Sequence, residues 1–179
     1  ERSQVVMSGR DRATLLHKFC TQDILAKEPG EGGEAFLCNV QGKNGAYVYF
    51  FVGEHEIYLD SAPEQAEKII AHLDRYVITE DVKFRDATTE MAEWLVAGPE
   101  AASVLEHAGI PAPIDAYRHL AATLGEVPIY IRRLPFGGTN SFFLGMPADS
   151  ADAVIGRVLQ QGAVGRSPEV VEINTVESR

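Results

Sequence analysis

Hydrophobic and polar positions follow one another along the chain in short blocks that predict strands and helices. An apolar block at residues 4–7 predicts a first strand, and apolar positions at three-to-four-residue spacing over 13–20 predict a helix. Ser8 stands three residues before Asp11, so we expect these two side chains to cap the helix start as a pair. Residues 35–40 and 46–52 predict two strands, and the glycines at 41–45 indicate a hairpin turn rather than a phosphate-binding loop.

A strand–strand–helix pattern then occurs three times between residues 46 and 161. In each repeat a strand leads into a proline (Pro63, Pro99 and Pro147) and an amphipathic helix follows. Proline suits the first helical turn because its missing N–H would have no partner there. A short helical piece is also predicted over 117–124. The repeats indicate an α+β fold, in which one antiparallel or mixed sheet carries the helices on one face, with α/β as the alternative.

Composition and charge narrow the class of protein. The 179 residues are 45% hydrophobic and 23% charged, which is typical of a folded globular chain. We expect no membrane association, because no apolar run approaches the ~20 residues that span a bilayer. With 26 acidic against 16 basic residues the net charge is −10, which disfavours nucleic-acid binding. Cys20 and Cys38 form no C-x-x-C motif, so we expect small core residues in a cytoplasmic protein rather than a disulfide or a zinc site.

The residues by themselves show no evident active site. The five histidines form no metal-ligand motif, and no G-x-S-x-G sequence is present. Lys83 and Arg85 are expected on one face of a strand, and the adjacent Arg132 and Arg133 on opposite faces. One of each pair could meet an anionic ligand, although a solvated strand face is the interpretation that the pattern favours.

Several motifs carry a family resemblance through their order along the chain. They are S-G-R-D at 8–11, T-Q-D-I at 21–24, N-V-Q-G-K at 39–43, A-G-P-E-A at 97–101 and T-V-E-S at 175–178. In this order the chain resembles the folate-binding superfamily that contains the glycine-cleavage T-protein (aminomethyltransferase) and the YgfZ-type proteins. The resemblance covers essentially the whole chain.

The resemblance implies a tetrahydrofolate-binding cradle built from two interleaved α+β parts. We expect subdomain A at 1–45 plus 126–179 and subdomain B at 46–125. A pterin is flat and has polar edges, so it needs aromatic walls and a few placed hydrogen-bonding groups. On that basis we expect Tyr47 and Phe136 as walls, and Asp60 and Glu177 as partners for the pterin's N–H groups.

Two departures from the family pattern bear on activity. Aminomethyltransferases carry an acidic residue just after the glycine turn, where this chain has Ala46 and Tyr47, and the stretch 137–143 lacks the acid of the family's T-G-E-D-G-x-E. The YgfZ-type signature K-G-C-Y-x-G-Q-E and the barrel domain that follows it are not among these residues.

The resulting hypothesis is a non-catalytic, tetrahydrofolate-binding protein of the YgfZ type. Such proteins are auxiliary to the maintenance of iron–sulfur enzymes, so a protein partner is possible beside the folate. Two alternatives stay open: an aminomethyltransferase of the glycine cleavage system that uses a displaced acid such as Asp60, and a protein-interaction module that has lost folate binding.

Overall fold

The fold is given by a computed structural model that describes residues 2–135 and 140–162. The chain divides into two compact units, Glu1–Met91 and Ala92–Arg179. Each unit has its own sheet and its own hydrophobic core. Within the described ranges, every helix falls short of the length and apolar character that a membrane crossing requires.

The first unit is built on a five-stranded sheet with the order β2-β3-β4-β1-β5. Its elements are β1 (Ser3–Ser8), α1 (Arg12–Lys18), β2 (Gly32–Cys38), β3 (Asn44–Val52), β4 (Glu56–Ser61), α2 (Ala66–Asp74) and β5 (Lys83–Asp86). Neighbouring strands are antiparallel throughout. Both helices pack on one face of the sheet, where Leu16 and Ile69 join Met7, Phe50 and Leu59 in one buried cluster.

The second unit is built on a four-stranded sheet with the order β6-β9-β8-β7. Its elements are β6 (Met91–Ala97), α3 (Ala101–His107), β7 (His119–Leu124), β8 (Val127–Leu134), β9 (Ser141–Pro147), a 3-10 turn (Ala148–Ser150) and α4 (Ala151–Gln160). Leu105 of α3 and Val154 of α4 pack on Ile131 and Leu144 in a second core. This layering of helices on antiparallel sheets confirms the predicted α+β class.

The strand–strand–helix repeats are present, but they form two sheets and not the one sheet expected. The strands of the second repeat separate: β5 pairs with β1, whereas β6 lies beside β9. Periodicity along the chain indicates which face of each strand is buried. It does not indicate which strands will pair with one another.

The predicted helix at 117–124 was wrong, because this segment contains strand β7. Leu120, Ala122 and Leu124 pack against the second core at a period of two, which is the spacing of a strand. A turn through Gly125, whose φ is +65°, joins β7 to β8 with Leu124 opposite Val127.

The predicted capping pair at the start of α1 was also wrong. Ser8 ends strand β1, and the residue that precedes the helix is Asp11, whose side chain makes no capping hydrogen bond. The Asp11 carboxylate instead accepts a hydrogen bond from the backbone N–H of Asp81 at 2.8 Å.

The compact units divide between residues 91 and 92, and the interleaved subdomains expected from the resemblance, 1–45 plus 126–179 and 46–125, stay a prediction. A boundary at residue 45 would cut strand β3, which pairs with β2 on one side and β4 on the other. These ladders tie residues 32–61 into one sheet, and the pairing of β5 with β1 adds residues 83–86 to it, so all five strands lie in the unit that ends at Met91.

Candidate functional site

The sheet of the first unit has two faces of different character. In β3, Val48 and Phe50 point into the core beside the helices, and the alternation of a strand directs Tyr47 and Tyr49 to the opposite face. Asp60 of β4 lies directly across from Tyr49 and so shares that face. We call this surface the aromatic face; its members are Glu34, Phe36, Tyr47, Tyr49 and Asp60.

Three aromatic rings form a continuous cluster on the aromatic face. Phe36 lies opposite Tyr47 across the β2–β3 ladder, and their ring centroids are 5.3 Å apart. The centroids of Tyr47 and Tyr49 are 5.4 Å apart in an edge-on arrangement. Phe36 is 43% exposed and Tyr47 38% exposed, so the cluster presents large apolar surface to its surroundings.

A carboxylate stands within this cluster. Glu34 lies opposite Tyr49 in the ladder, one diagonal step from Tyr47, and its side chain accepts a hydrogen bond from the Tyr47 hydroxyl. Burial raises the pKa of Tyr47 far above its usual range, and the hydrogen bond to Glu34 raises that pKa further. The Tyr47 hydroxyl is therefore a neutral donor at physiological pH.

Asp60 occupies a more enclosed position on the same face. It is 2% exposed, and Nε of Arg2 lies 3.4 Å from its Oδ1. The guanidinium of Arg2 also lies 5.4 Å from the centroid of the Tyr49 ring. The Asp60 carboxylate thus has a cation beside it, whereas the Glu34 carboxylate is held by a neutral hydroxyl.

The structure brings together two of the four site residues expected from the resemblance. Tyr47 and Asp60 lie on the aromatic face, and their role in binding stays a prediction. Phe136 and Glu177 lie outside the described residues. Ala46 packs against the core, so of the two residues at the position of the family's acid only Tyr47 reaches the aromatic face.

Sequence reasoning missed Glu34. Its only signal is that Glu34 and Phe36 alternate with the buried Ala35 and Leu37, which places both on the outer face of β2. The predicted hairpin pairs β2 with β3, but the register that sets Glu34 beside Tyr47 also depends on an irregularity between Leu37 and Cys38.

Three of the four cationic residues considered as anion contacts have partners within the protein. Arg132 is buried and its Nη1 lies 2.8 Å from Oε1 of Glu93. Arg133 points to the other face, and its Nη2 donates to Asn140 at 2.9 Å. Arg85 is exposed and paired with Glu90.

Both cysteines are half-buried: Cys20 packs against the first core, as expected, whereas Cys38 is not among the residues of that core. Burial nevertheless raises the pKa of the Cys20 thiol, and Sγ of Cys20 donates to the carbonyl of Gln22 at 3.4 Å. In the part of the chain that the structure describes, no three His, Cys, Asp or Glu side chains are grouped to hold a metal ion.

The S-G-R-D motif has a structural role in the first unit. Gly9 has a φ of +100°, and a Cβ at this position would lie 2.1 Å from the carbonyl oxygen of Asp81. The backbone N–H of Arg10 donates to the side chain of Asp81, and the backbone N–H of Asp11 donates to its carbonyl oxygen. The motif therefore fastens the start of α1 to the segment that precedes β5.

Comparison with protein families and known proteins bears on the whole chain. The model of the GCVT N-terminal domain family matches residues 2–169. The aminomethyltransferase of Rubrobacter xylanophilus is 26% identical over 163 residues, covering 89% of this chain and 44% of that protein. The aminomethyltransferase of Geobacillus kaustophilus is 26% identical over 165 residues, covering 89% of this chain and 45% of that protein. The chain thus spans less than half the length of these relatives.

Solved structures share the fold. The glycine cleavage system aminomethyltransferase T from Bartonella henselae matches with a TM-score of 0.75 and 18% identity, over 88% of this chain and 43% of that one. The heterotetrameric sarcosine oxidase from Corynebacterium sp. U-96 matches with a TM-score of 0.56 and 17% identity, over 93% of this chain and 84% of that one. At these identities the likeness establishes the fold alone.

Proposed function

Because the chain belongs to the GCVT N-terminal domain family, we propose that it binds a reduced folate at the aromatic face without transferring an aminomethyl group. Membership of this family confirms the resemblance read from the sequence. The observation that carries the proposal is the identity of Ala46 and Tyr47: neither is acidic, although the resemblance places the acid of the family's aminomethyltransferases at this position.

The aromatic face matches the chemistry of a pterin. A flat bicyclic ring gains from stacking or edge contacts with aromatic side chains, each worth about 0.5–1.5 kcal/mol beyond the buried area. Tyr47 supplies one such ring, and the ring centroids of Phe36 and Tyr49 lie 5.3 Å and 5.4 Å from it. Glu34 and Asp60 supply carboxylate oxygens that accept hydrogen bonds from ring N–H groups.

The same residues argue against proton handling at the position of the family's acid. Ala46 has no titratable group, and Tyr47 keeps its proton because burial and the Glu34 hydrogen bond raise its pKa. A general base must be deprotonated near the working pH and within reach of the proton that it takes. Neither residue at this position meets that condition.

A protein that binds folate without catalysing a reaction on it would exert its effect on a partner protein. We extend the proposal to an auxiliary role of the YgfZ type, in which the folate-loaded protein supports the maintenance of iron–sulfur enzymes in the cytoplasm. The support for this extension is the YgfZ-type resemblance together with Tyr47 in place of the acid.

Titration with folinic acid tests folate binding. We expect calorimetric heat with the wild type, and an affinity about ten-fold lower in Tyr47→Ala, because one aromatic wall is removed. Ile78→Ala is the control, since Ile78 is 86% exposed in a loop of the same unit. Absence of heat and of thermal protection at millimolar folinic acid would rule out the proposal and favour an interaction module without a ligand.

Aminomethyl transfer is the second candidate, and Asp60 on the aromatic face is the observation that favours it. The relatives named aminomethyltransferase support the same reading. The assay is folate-dependent release of ammonia from an aminomethyl-lipoyl donor. We expect none above background; release that disappears in Asp60→Asn would establish transfer with a displaced acid.

A further inference from the structure

We propose that Glu34 and Phe36 form a docking point for an arginine side chain of a partner protein. Both residues lie on the aromatic face, and both are exposed. This inference goes beyond folate binding. It concerns the folate-free protein, because a folate bound at the aromatic face would occupy the same surface.

The aromatic face already binds one arginine of this chain. Nε of Arg2 lies 3.4 Å from Oδ1 of Asp60, and Cζ of Arg2 lies 5.4 Å from the centroid of the Tyr49 ring. A cation is attracted to an aromatic ring when it lies within about 6 Å of the centroid. The sheet thus shows, at its Asp60 side, how a carboxylate and a ring hold a guanidinium together.

Strand β2 presents the same two chemical groups at the exposed side of the face. Glu34 and Phe36 are two residues apart on one strand, so their side chains project from the same side of the sheet. Within the described ranges, the hydrogen-bond partner of the Glu34 carboxylate is the Tyr47 hydroxyl, which is neutral. The negative charge of Glu34 is therefore not compensated there, and its oxygens keep acceptor capacity.

These groups fit an arginine better than other side chains. A guanidinium is planar, so it can stack on a ring while its N–H groups donate to a carboxylate, and it is less strongly hydrated than the ammonium of lysine. An apolar partner would instead bury the Glu34 carboxylate without a countercharge, which is unfavourable. The net charge of −10 also attracts a basic partner at long range.

The test measures the binding of three blocked tripeptides to the full chain at pH 7 by amide NMR shifts. Gly-Arg-Gly is the probe, Gly-Lys-Gly carries the same charge, and Gly-citrulline-Gly is a neutral peptide of nearly the same shape. We expect shifts at residues 34–36. The affinity for the arginine peptide should exceed that for the lysine peptide about three-fold and that for the citrulline peptide about ten-fold.

Two variants and a matched control assign the binding to this pair of residues. Glu34→Gln removes the charge, and Phe36→Leu removes the ring but keeps an apolar side chain. Each should lower the affinity for the arginine peptide about three-fold or more. Glu56→Gln is the control, because Glu56 also binds a tyrosine hydroxyl, that of Tyr58 at 3.0 Å, in the same sheet. Its affinity should equal that of the wild type, and thermal unfolding shows that each variant is folded.

Several results would overturn the docking point. Equal affinity for the arginine and lysine peptides, or equal losses in Glu34→Gln and Glu56→Gln, would show attraction by net charge alone. Tighter binding of the citrulline peptide would indicate an uncharged partner. Shifts confined to other residues, or no binding at all, would also contradict the proposal.

The docking point and folate binding can fail separately. If folinic acid does not bind but the arginine peptide binds at Glu34, the proposed function is wrong and the docking point stands. If folinic acid binds and the arginine peptide does not, the docking point alone is overturned.

Discussion

Tyr47 joins the aromatic cluster to the Glu34 carboxylate, and the ionisation of Tyr47 is a sensitive measure of that environment. Burial, and after it the hydrogen bond to Glu34, raises the pKa of Tyr47 above the value of about 10 that an unfolded tyrosine has. The stability linked to this shift is fully present below pH ~10 and is lost as the pH rises above it.

We therefore predict that Tyr47→Phe weakens the alkaline loss of stability. The free energy of unfolding of the wild type should fall more steeply above pH ~10 than that of the variant, because the variant has no phenol to ionise. Urea unfolding at pH 8 and at several values above pH 10 measures the difference. Parallel curves for the two proteins would show that Tyr47 has no shifted pKa.

Gly9 gives a second prediction at the residue scale. Gly9→Ala should lower the free energy of unfolding by about 2–4 kcal/mol, because the new Cβ meets the Asp81 carbonyl at 2.1 Å in a left-handed backbone. Gly42→Ala is the matched control: its φ is +73° but nothing lies within 4 Å of the added Cβ. Its cost should stay at about 1 kcal/mol. Equal costs would mean that the clash at Gly9 relaxes.

At the scale of the elements, one buried ion pair links two strands that are not neighbours. Glu93 of β6 and Arg132 of β8 lie on either side of β9, and both side chains are 4% exposed. Removing one partner of a buried pair leaves the other charge in a medium that solvates it poorly, which costs about 3–5 kcal/mol. The ion pair thus bridges β6 and β8 across β9 on one face of the sheet, and it stabilises this order of strands.

We predict that Arg132→Ala destabilises the protein by about 3–5 kcal/mol. Trp94 is the single tryptophan and lies in β6, so its fluorescence reports unfolding next to the altered pair. The matched control is Arg85→Ala, which removes one partner of an exposed pair and should cost less than about 1 kcal/mol. A loss in Arg132→Ala no larger than in the control would contradict the role of the pair.

At the scale of the whole molecule, net charge sets the long-range field that an anionic ligand meets. The chain carries a formal charge of −10, and the glutamate tail of a folate carries carboxylates. Salt screens charges over a Debye length of about 10 Å at 0.1 M, so repulsion between protein and ligand weakens as salt is added.

We accordingly predict that the affinity for folinic acid rises as NaCl is increased from about 20 to about 200 mM. Calorimetric titration at constant pH gives the trend, and pterin without a glutamate tail is the control whose affinity should change less. A fall in folinic acid affinity with salt would indicate that a local group of cations outweighs the net charge.

Much of the fold could be predicted from the sequence alone. Short apolar and aromatic blocks identified the strands at 4–7 and 46–52, and three-to-four-residue spacing identified the helices after Pro63, Pro99 and Pro147. These patterns succeed because burial of one face imposes a period on the residues themselves. The order of the motifs was enough to place the chain in its family.

Other features depended on residues distant in the sequence, and only the tertiary structure decided them. Segment 117–124 was predicted to be helical, but residues 119–124 form a strand that pairs with β8. The same is true of the site: Tyr47 and Asp60 could be proposed from motifs, but Glu34 belongs with them only through the β2–β3 register. The periodicity of a short segment determines which face of the sheet each side chain lies on. The neighbours of that side chain are determined by strand pairing, which depends on contacts across the whole sheet.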